Sequence, residues 1–207
     1  MTDEQIPETF KTIFKDFIEH DIQAAIEGKA NYLAALGIFS YMDFLGGLLT
    51  GNIGQSSEAN FDECLKYFPN EYLDLDKEIR VQDDKGREHE GIYGVIRCGL
   101  VHEYMIKGGG VVNNNPLGPI QDHTGISYVT EDGKKVLVIF NNELFRDFRS
   151  VIDRVYDIIK DKKGPVFNNI KQGLVRLASR TQIVVSPSVS ASVSPSLSPS
   201  ASVLLDE

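Results

Sequence analysis

Residues 92–107 of this 207-residue chain read IYGVIRCGLVHEYMIK, and the rest of the sequence is best understood outward from this stretch. It holds enough apolar residues for a buried helix, namely Ile92, Tyr93, Ile96, Leu100, Val101, Tyr104 and Met105. Arg97 and His102 interrupt the apolar run. A charged arginine in such a setting is costly unless it has a partner or faces a wet cleft. The stretch is therefore the best candidate for a functional site.

Composition indicates a folded domain followed by a tail. The hydrophobic fraction is 42% and the charged fraction is 25%, which are ordinary values for a soluble globular protein. From Ser186 to Ser202 every even-numbered residue is serine, with prolines among the residues between them. Such a run buries too little apolar surface to offset chain entropy. We predict a helical domain over residues 1–180 and a disordered Ser/Pro-rich tail over residues 181–207.

Three segments carry strong helical patterns. Apolar residues at three-four spacing predict an amphipathic helix over residues 9–28. Residues 30–50 are apolar nearly all round, which predicts a central helix contacted on most sides, and Asp43 in its middle argues against a membrane span. Residues 142–160 repeat apolar positions over two heptads, which is typical of a core helix and, less often, of a dimer seam. The predicted class is mainly α, a bundle of four to five helices.

Shorter elements connect these helices. Asn60 is placed to cap a short helix. The charged residues 81–90 and the glycine-rich residues 108–119 each predict a loop. Two β-prone runs on either side of an Asp-Gly dipeptide predict a small β-hairpin insert at about residues 125–140.

Charge and cysteine content indicate which partners and which cellular compartment to expect. A formal net charge of −9 disfavours indiscriminate nucleic-acid binding by the whole surface. Residues 160–180 hold six basic residues against one acidic residue, which indicates a solvated helix end more than a phosphate-binding patch. The two cysteines make no disulfide framework, and the acidic N-terminal residues do not resemble a secretory signal. We therefore predict a cytoplasmic protein without membrane association.

Spacing alone does not bring Arg97 and His102 to one point, because residues five apart on a helix face about 140° from one another. Cys98 and His102 are four apart and share a helix face, so a metal or thiol site is a second interpretation. No further His or Cys cluster accompanies this pair, and we predict no metal and no cofactor. The structural alternative is that Arg97 pairs with an acidic neighbour such as Asp43 while His102 is a hydrogen-bonded core residue.

The segment Arg97-Cys-Gly-Leu-Val-His102 resembles the HEPN motif, in which an arginine is followed after four to six residues by a histidine. The resemblance covers roughly residues 7–165, with the hairpin as an insert before the last helix. It implies a HEPN-like helical bundle and a homodimer in which two copies of the motif meet across the interface. Many members of this superfamily are metal-independent endoribonucleases.

The resemblance also implies a role for each motif residue. His102 would act as general base or acid on the RNA 2′-hydroxyl, and Arg97 would hold the scissile phosphate. The product would be a 2′,3′-cyclic phosphate. Glu103 and Tyr104 flank the site as possible accessory residues, although a Glu103–Lys107 pair and simple packing of Tyr104 are the structural alternatives.

Cys98 departs from the pattern, because members that cut RNA usually carry a polar residue, often Asn or Asp, directly after the arginine. This departure favours a second hypothesis, a non-catalytic HEPN-like dimerisation or interaction module. RNA, and an antitoxin or a nucleotidyltransferase, are the further partners that the resemblance implies.

Overall fold

A computed structural model of the chain describes residues 1–55, 57–83, 85–113, 124–131 and 133–180. About two thirds of these residues are helical, which confirms the prediction of a mainly α protein. The predicted tail over residues 181–207 lies outside the described residues.

The described part of the chain contains seven continuous helices, so the predicted count of four to five is wrong. Two of them include a π-helical segment, Thr12–Ile18 between α1 and α2 and Tyr93–Arg97 before α6. The α-helices are α1 (Gln5–Lys11), α2 (Glu19–Glu27), α3 (Asn31–Thr50), α4 (Ser57–Leu65), α5 (Asn70–Glu78), α6 (Cys98–Glu103), α7 (Asn141–Lys160) and α8 (Gly164–Arg180). Helices as short as α4 and α5 depend on tertiary packing, which local periodicity reports poorly.

Helix α3 is the centre of the fold. It contacts α2, α4, α6, α7 and α8. Its length and apolarity would also suit a membrane span, but 61% of its most apolar window is buried inside the protein. A helix surrounded by other helices is apolar on most sides for that reason alone.

Helix α7 packs its apolar stripe into the same core. The stripe residues Leu144, Phe148, Val151, Ile152, Val155 and Ile159 are at most 1% exposed. The apolar stripe of this helix therefore packs in the core of a single chain, as its heptad pattern indicated. It is not available as a dimer interface.

The predicted hairpin is present, but it belongs to a larger sheet. Strand β4 (Ile126–Glu131) pairs antiparallel with β5 (Lys134–Phe140). Strand β3 (Gly110–Asn113) pairs parallel with β5 on its other edge, so part of the predicted 108–119 loop is a strand. Its partner lies far along the sequence and its glycines weaken the local signal, which is why the pattern missed it.

Residues 81–90 also form a hairpin rather than a simple loop. Strand β1 (Arg80–Gln82) pairs antiparallel with β2 (Glu88–Glu90). Asp83 shapes the turn, because its Oδ1 accepts the backbone N–H of Lys85 at 3.0 Å and of Arg87 at 2.9 Å. Strands of three residues are too short to show an alternating pattern of apolar and polar residues, which is why the sequence predicted a loop here.

A buried hydrogen-bond network fixes the sheet to the helices. The fully buried Tyr72 of α5 donates its hydroxyl to Asp147 Oδ2 of α7 at 2.7 Å and accepts the backbone N–H of Gly125 at 2.7 Å. Burial raises the pKa of the Tyr72 phenol, so the hydroxyl keeps its proton. Arg146 neutralises Asp147 from the same helix at 2.9 Å.

Helices α3 and α4 approach so closely that their backbones touch. A Cβ added to Gly46 would lie 1.6 Å from the carbonyl oxygen of Asn60. Asn60 is buried inside α4, which begins at Ser57, so its predicted role as a helix cap is wrong. Its side-chain amide instead donates to the carbonyls of Asn52 at 3.3 Å and Gln55 at 2.7 Å, which ties the preceding turn to the helix.

We expect Gly46→Ala to lower the free energy of unfolding by about 3 kcal/mol, because the methyl group would force α4 away from α3. Gly37→Ala is the matched control in the same helix, since its Cβ would meet only the Tyr41 ring at 3.9 Å. That variant should gain up to about 1 kcal/mol from helix propensity. Urea denaturation followed by circular dichroism measures both, and equal stabilities would contradict the close approach.

Candidate functional site

The motif helix is shorter than the sequence predicted. Its π-helical segment continues into α6, which ends at Glu103. Tyr104 adopts a left-handed conformation with φ of 57°, and the chain then turns back along the helix. The backbone N–H of Lys107 donates to the carbonyl of Val95 at 3.1 Å. Gly99 makes room for this return, because a Cβ there would lie 2.4 Å from the Met105 carbonyl oxygen.

Arg97 pairs with Asp43, as the structural alternative predicted. Its Nη2 donates to Asp43 Oδ2 at 2.6 Å and to Ser57 Oγ at 3.2 Å. Ser57 donates a second, short hydrogen bond to the same carboxylate oxygen. The guanidinium carbon also lies 5.2 Å from the centre of the Tyr93 ring. The ion pair is largely buried, with side-chain exposures of 17% for Arg97 and 11% for Asp43.

The pair is not fully satisfied. Asp43 Oδ1 and Arg97 Nε are buried and have no hydrogen-bond partner within the described residues. Both hydrogen bonds that Arg97 makes in this part of the chain leave from Nη2, so Nη1 keeps its donors for an outside acceptor. Arg97 is also the last residue of the π-helical segment Tyr93–Arg97, and π-helical turns occur frequently at functional sites.

His102 lies on the opposite side of the motif helix and is exposed to solvent. It makes no hydrogen bond to the described residues, so the prediction of a hydrogen-bonded core histidine is wrong. Exposed apolar side chains surround it in the sequence: Val101, Tyr104 and Met105 are 36%, 62% and 59% exposed. We call His102 with these three residues the His102 face.

One chain therefore does not bring Arg97 and His102 together. Arg97 points inward to α3 and α4, and His102 points outward, in agreement with the wide angle that their spacing predicted. A site that uses both groups needs a second chain or a large rearrangement.

The accessory residues have different surroundings. Cys98 is half-buried, while Cys64 is fully buried and burial raises the pKa of its thiol. Glu103 is exposed and lies 4.0 Å from Lys107 Nζ, as predicted for a pair four residues apart. Tyr104 is exposed, so its predicted packing role is wrong. The described ranges contain no cluster of three residues suited to bind a metal ion.

A second polar cluster, made of Asp83, His89 and Lys107, anchors the segment that leaves the motif helix, and no sequence pattern predicted it. Lys107 Nζ lies 3.3 Å from His89 Nδ1, and His89 Nε2 lies 3.2 Å from Asp83 Oδ2. An ammonium group only donates, so Nδ1 accepts and Nε2–H donates to the carboxylate. The hydrogen bond from the backbone N–H of Arg87 is the main cause that lowers the pKa of Asp83. Asp83 therefore stays negatively charged where it contacts His89. The contacts join the β1–β2 hairpin to the chain that leaves α6.

The basic stretch over residues 160–180 is largely engaged within the fold. Lys160 pairs with Asp157, Lys162 with Glu4 and Lys171 with Asp3. Arg176 donates to the carbonyl of Gly51 at 2.7 Å. Carboxylates thus offset three of the six basic charges of this stretch, and Arg176 serves to tie α8 to the end of α3.

No family model, curated protein or solved structure matches this chain. The resemblance to HEPN proteins rests on the spacing of Arg97 and His102 and on the helical character of the domain.

We expect Asp43→Asn to lower the free energy of unfolding by about 2 kcal/mol, because it leaves a mostly buried guanidinium without its counter-charge; the figure is below that for a fully buried pair because some solvent reaches both groups. Asp74→Asn is the control, since its pair with Lys77 is 70% and 73% exposed. That change should cost less than about 0.5 kcal/mol. Thermal and urea denaturation measure the free energy of unfolding of both variants. A similar loss in both would show that the Arg97–Asp43 pair stabilises the fold no more than an exposed ion pair does.

Proposed function

We propose that this chain is a metal-independent endoribonuclease of the HEPN type that acts as a homodimer in the cytoplasm. The observation that carries the proposal is the His102 face: an exposed imidazole with no hydrogen-bond partner in the described chain, bordered by three exposed apolar side chains. Exposed apolar surface of this kind marks an interaction site. A second copy docked there would enclose the imidazole without burying it in a core.

The reaction needs no metal. An imidazole of the dimer site takes the proton of the RNA 2′-hydroxyl, and the oxygen attacks the adjacent phosphorus. The bond to the 5′-oxygen breaks, and this oxygen takes a proton from the imidazolium of the second copy or from water. The products are a 2′,3′-cyclic phosphate and a free 5′-hydroxyl. His102 suits both steps because an imidazole has one nitrogen that accepts a proton and one that donates it.

Arg97 would stabilise the negative charge that builds on the phosphate. Asp43 and Ser57 hold its Nη2, so the plane of the guanidinium is fixed before RNA arrives. Nη1 is then the donor that faces the substrate. A donor that needs no reorganisation stabilises a transition state more than a mobile one does.

A non-catalytic interaction module is the second candidate, and two observations favour it. Asp43 already neutralises Arg97 at 2.6 Å, which weakens its attraction for a phosphate. Cys98, a half-buried thiol, stands where RNA-cutting relatives usually carry a polar residue. In this case the His102 face would serve assembly alone, either with a second copy or with an antitoxin or nucleotidyltransferase.

Cleavage of RNA in the presence of EDTA tests the first proposal. We expect the wild-type chain to cut and His102→Ala to be slower by at least about 100-fold, because it lacks the proton-transfer group. His20→Ala is the matched control, since His20 has an exposed side chain on α2, away from the motif. Gel analysis with detection of the cyclic phosphate provides the measurement. Equal cutting by the two variants, or no cutting by the wild type, would refute the enzyme and leave the interaction module.

The dimer has its own test. Tyr104→Glu should convert the dimer to a monomer, because it places a charge within the apolar part of the His102 face. Leu33→Glu is the control, because Leu33 is 53% exposed on α3. Light scattering after size-exclusion chromatography gives the mass. A monomeric wild type, or a dimer that Leu33→Glu disrupts and Tyr104→Glu does not, would rule out this interface.

A further inference from the structure

Two contacts hold the segment that leaves the motif helix against the β1–β2 hairpin. The first is apolar: Val81 of β1 packs on Gly108, where an added Cβ would lie 2.9 Å from the Val81 side chain. The second is the polar cluster, in which Lys107 Nζ lies 3.3 Å from His89 Nδ1 and His89 Nε2 lies 3.2 Å from Asp83 Oδ2. His89 stands between the other two groups, so its protonation decides whether the polar contact can exist.

The contact between Lys107 and His89 requires a neutral imidazole. An ammonium group only donates hydrogen bonds, and an imidazole that has gained a proton has no nitrogen left to accept one. Protonation of His89 would also place two cations 3.3 Å apart. The side chains are only 13% exposed for Lys107 and 17% for His89, so solvent screens this repulsion in part only.

Each of the two cations has a carboxylate to contact after protonation. Asp83 faces His89 Nε2, and it stays ionised because the hydrogen bond from the backbone N–H of Arg87 lowers the pKa of Asp83. The Arg87 side chain also pairs with this carboxylate at 2.7 Å. Glu103, on the last turn of α6, lies 4.0 Å from Lys107 Nζ and is 52% exposed. The imidazolium would therefore keep its contact with Asp83, while Lys107 would turn outward to Glu103.

The other charged groups of the hairpin lie away from the imidazole. Glu88 and Glu90 are the neighbours of His89 in β2, and side chains alternate between the two faces of a strand, so both lie on the opposite face. Glu90 pairs there with Arg80 of β1 at 3.1 Å. Asp76 of α5 lies at the end of the hairpin and accepts a backbone N–H at 2.7 Å. The response of the cluster to pH thus depends on the imidazole itself.

We propose that the polar cluster is a pH-sensitive switch at the exit of the motif helix. Neutral His89 holds Lys107 and keeps residues 104–109 against the hairpin, and protonated His89 releases them. Tyr104 and Met105 lie in this segment, so its release alters the His102 face. That effect on the face rests on the proposed function, whereas the switch itself does not, because none of its three groups takes part in the proposed reaction.

Hydrogen exchange followed by NMR on the full chain tests the switch. The amides of Lys107 and Gly109 report on it, because they donate to the carbonyls of Val95 at 3.1 Å and Ile106 at 3.2 Å. We expect their protection factors, corrected for the intrinsic effect of pH on exchange, to fall about tenfold or more between about pH 8 and about pH 5, where imidazole gains its charge. A fall of this size is the effect of losing one hydrogen bond to a charged group. A change of less than about twofold at both amides would overturn the proposal.

Two variants should remove the dependence on pH while they keep the contact. In His89→Asn the amide oxygen accepts from Lys107 and cannot gain a proton, and in Lys107→Gln the amide donates to a neutral imidazole or accepts from a charged one. Each should reduce the change in protection to less than about threefold, and either one keeps the test valid if the other does not fold. His20→Asn and His102→Asn are matched controls that should keep the wild-type change. A change that survives in a folded switch variant, or that a control abolishes, would overturn the assignment.

The result is separable from acid unfolding and from the proposed function. The amide of Gly51 donates to the carbonyl of Leu48 at 3.1 Å, at the end of α3, and its protection should stay constant. An equal fall at Gly51 would indicate unfolding of the whole chain and overturn the switch. A pH-dependent Lys107 amide in a chain that neither dimerises nor cuts RNA would refute the proposed function and retain the switch. A pH-independent Lys107 amide in a dimer that cuts RNA would refute the switch alone.

Discussion

The ion pair between Arg97 and Asp43 is the contact on which the arrangement of the motif depends. Asp43 lies in the most apolar helix of the chain and Arg97 in an apolar run of its own, so each charge is tolerable only because the other is present. Ser57 adds the start of α4 to the pair. Three segments that are distant in sequence are thereby held in one orientation, and the motif helix cannot rotate without separating the charges.

That orientation decides what faces solvent. With Arg97 turned toward α3, a residue five positions later lies on the outer surface. The left-handed Tyr104, about two turns after Arg97, ends the helix and sends the chain back across Gly99. The result is a short helix whose inner side holds the Arg97 ion pair among buried apolar residues such as Val95, Ile96 and Leu100, and whose outer end carries an imidazole next to exposed apolar side chains.

Sequence reasoning succeeded where a residue's environment is set by its near neighbours. The length of α3, the stripe of α7 and the β4–β5 hairpin all follow from local periodicity, and the Arg97–Asp43 pair followed from two charges in apolar surroundings. It failed where distant residues decide. Strand β3 exists because β5 is available, Ser57 joins the ion pair through the α3–α4 approach, and the motif helix ends early because Tyr104 takes a backbone conformation that few tyrosines adopt.

The parallel pairing of β3 with β5 has a consequence for the growing chain. Strand β3 follows the motif almost at once, but its hydrogen-bonding partner ends only at Phe140. A ribosome therefore delivers the whole motif before it delivers the strand that fixes the exit from the motif helix. Native pairing across such a separation is slow to form relative to local helices. Translation thus separates in time the synthesis of residues 92–107 from the completion of the sheet that supports them, and an unfinished polypeptide carries this segment without that support.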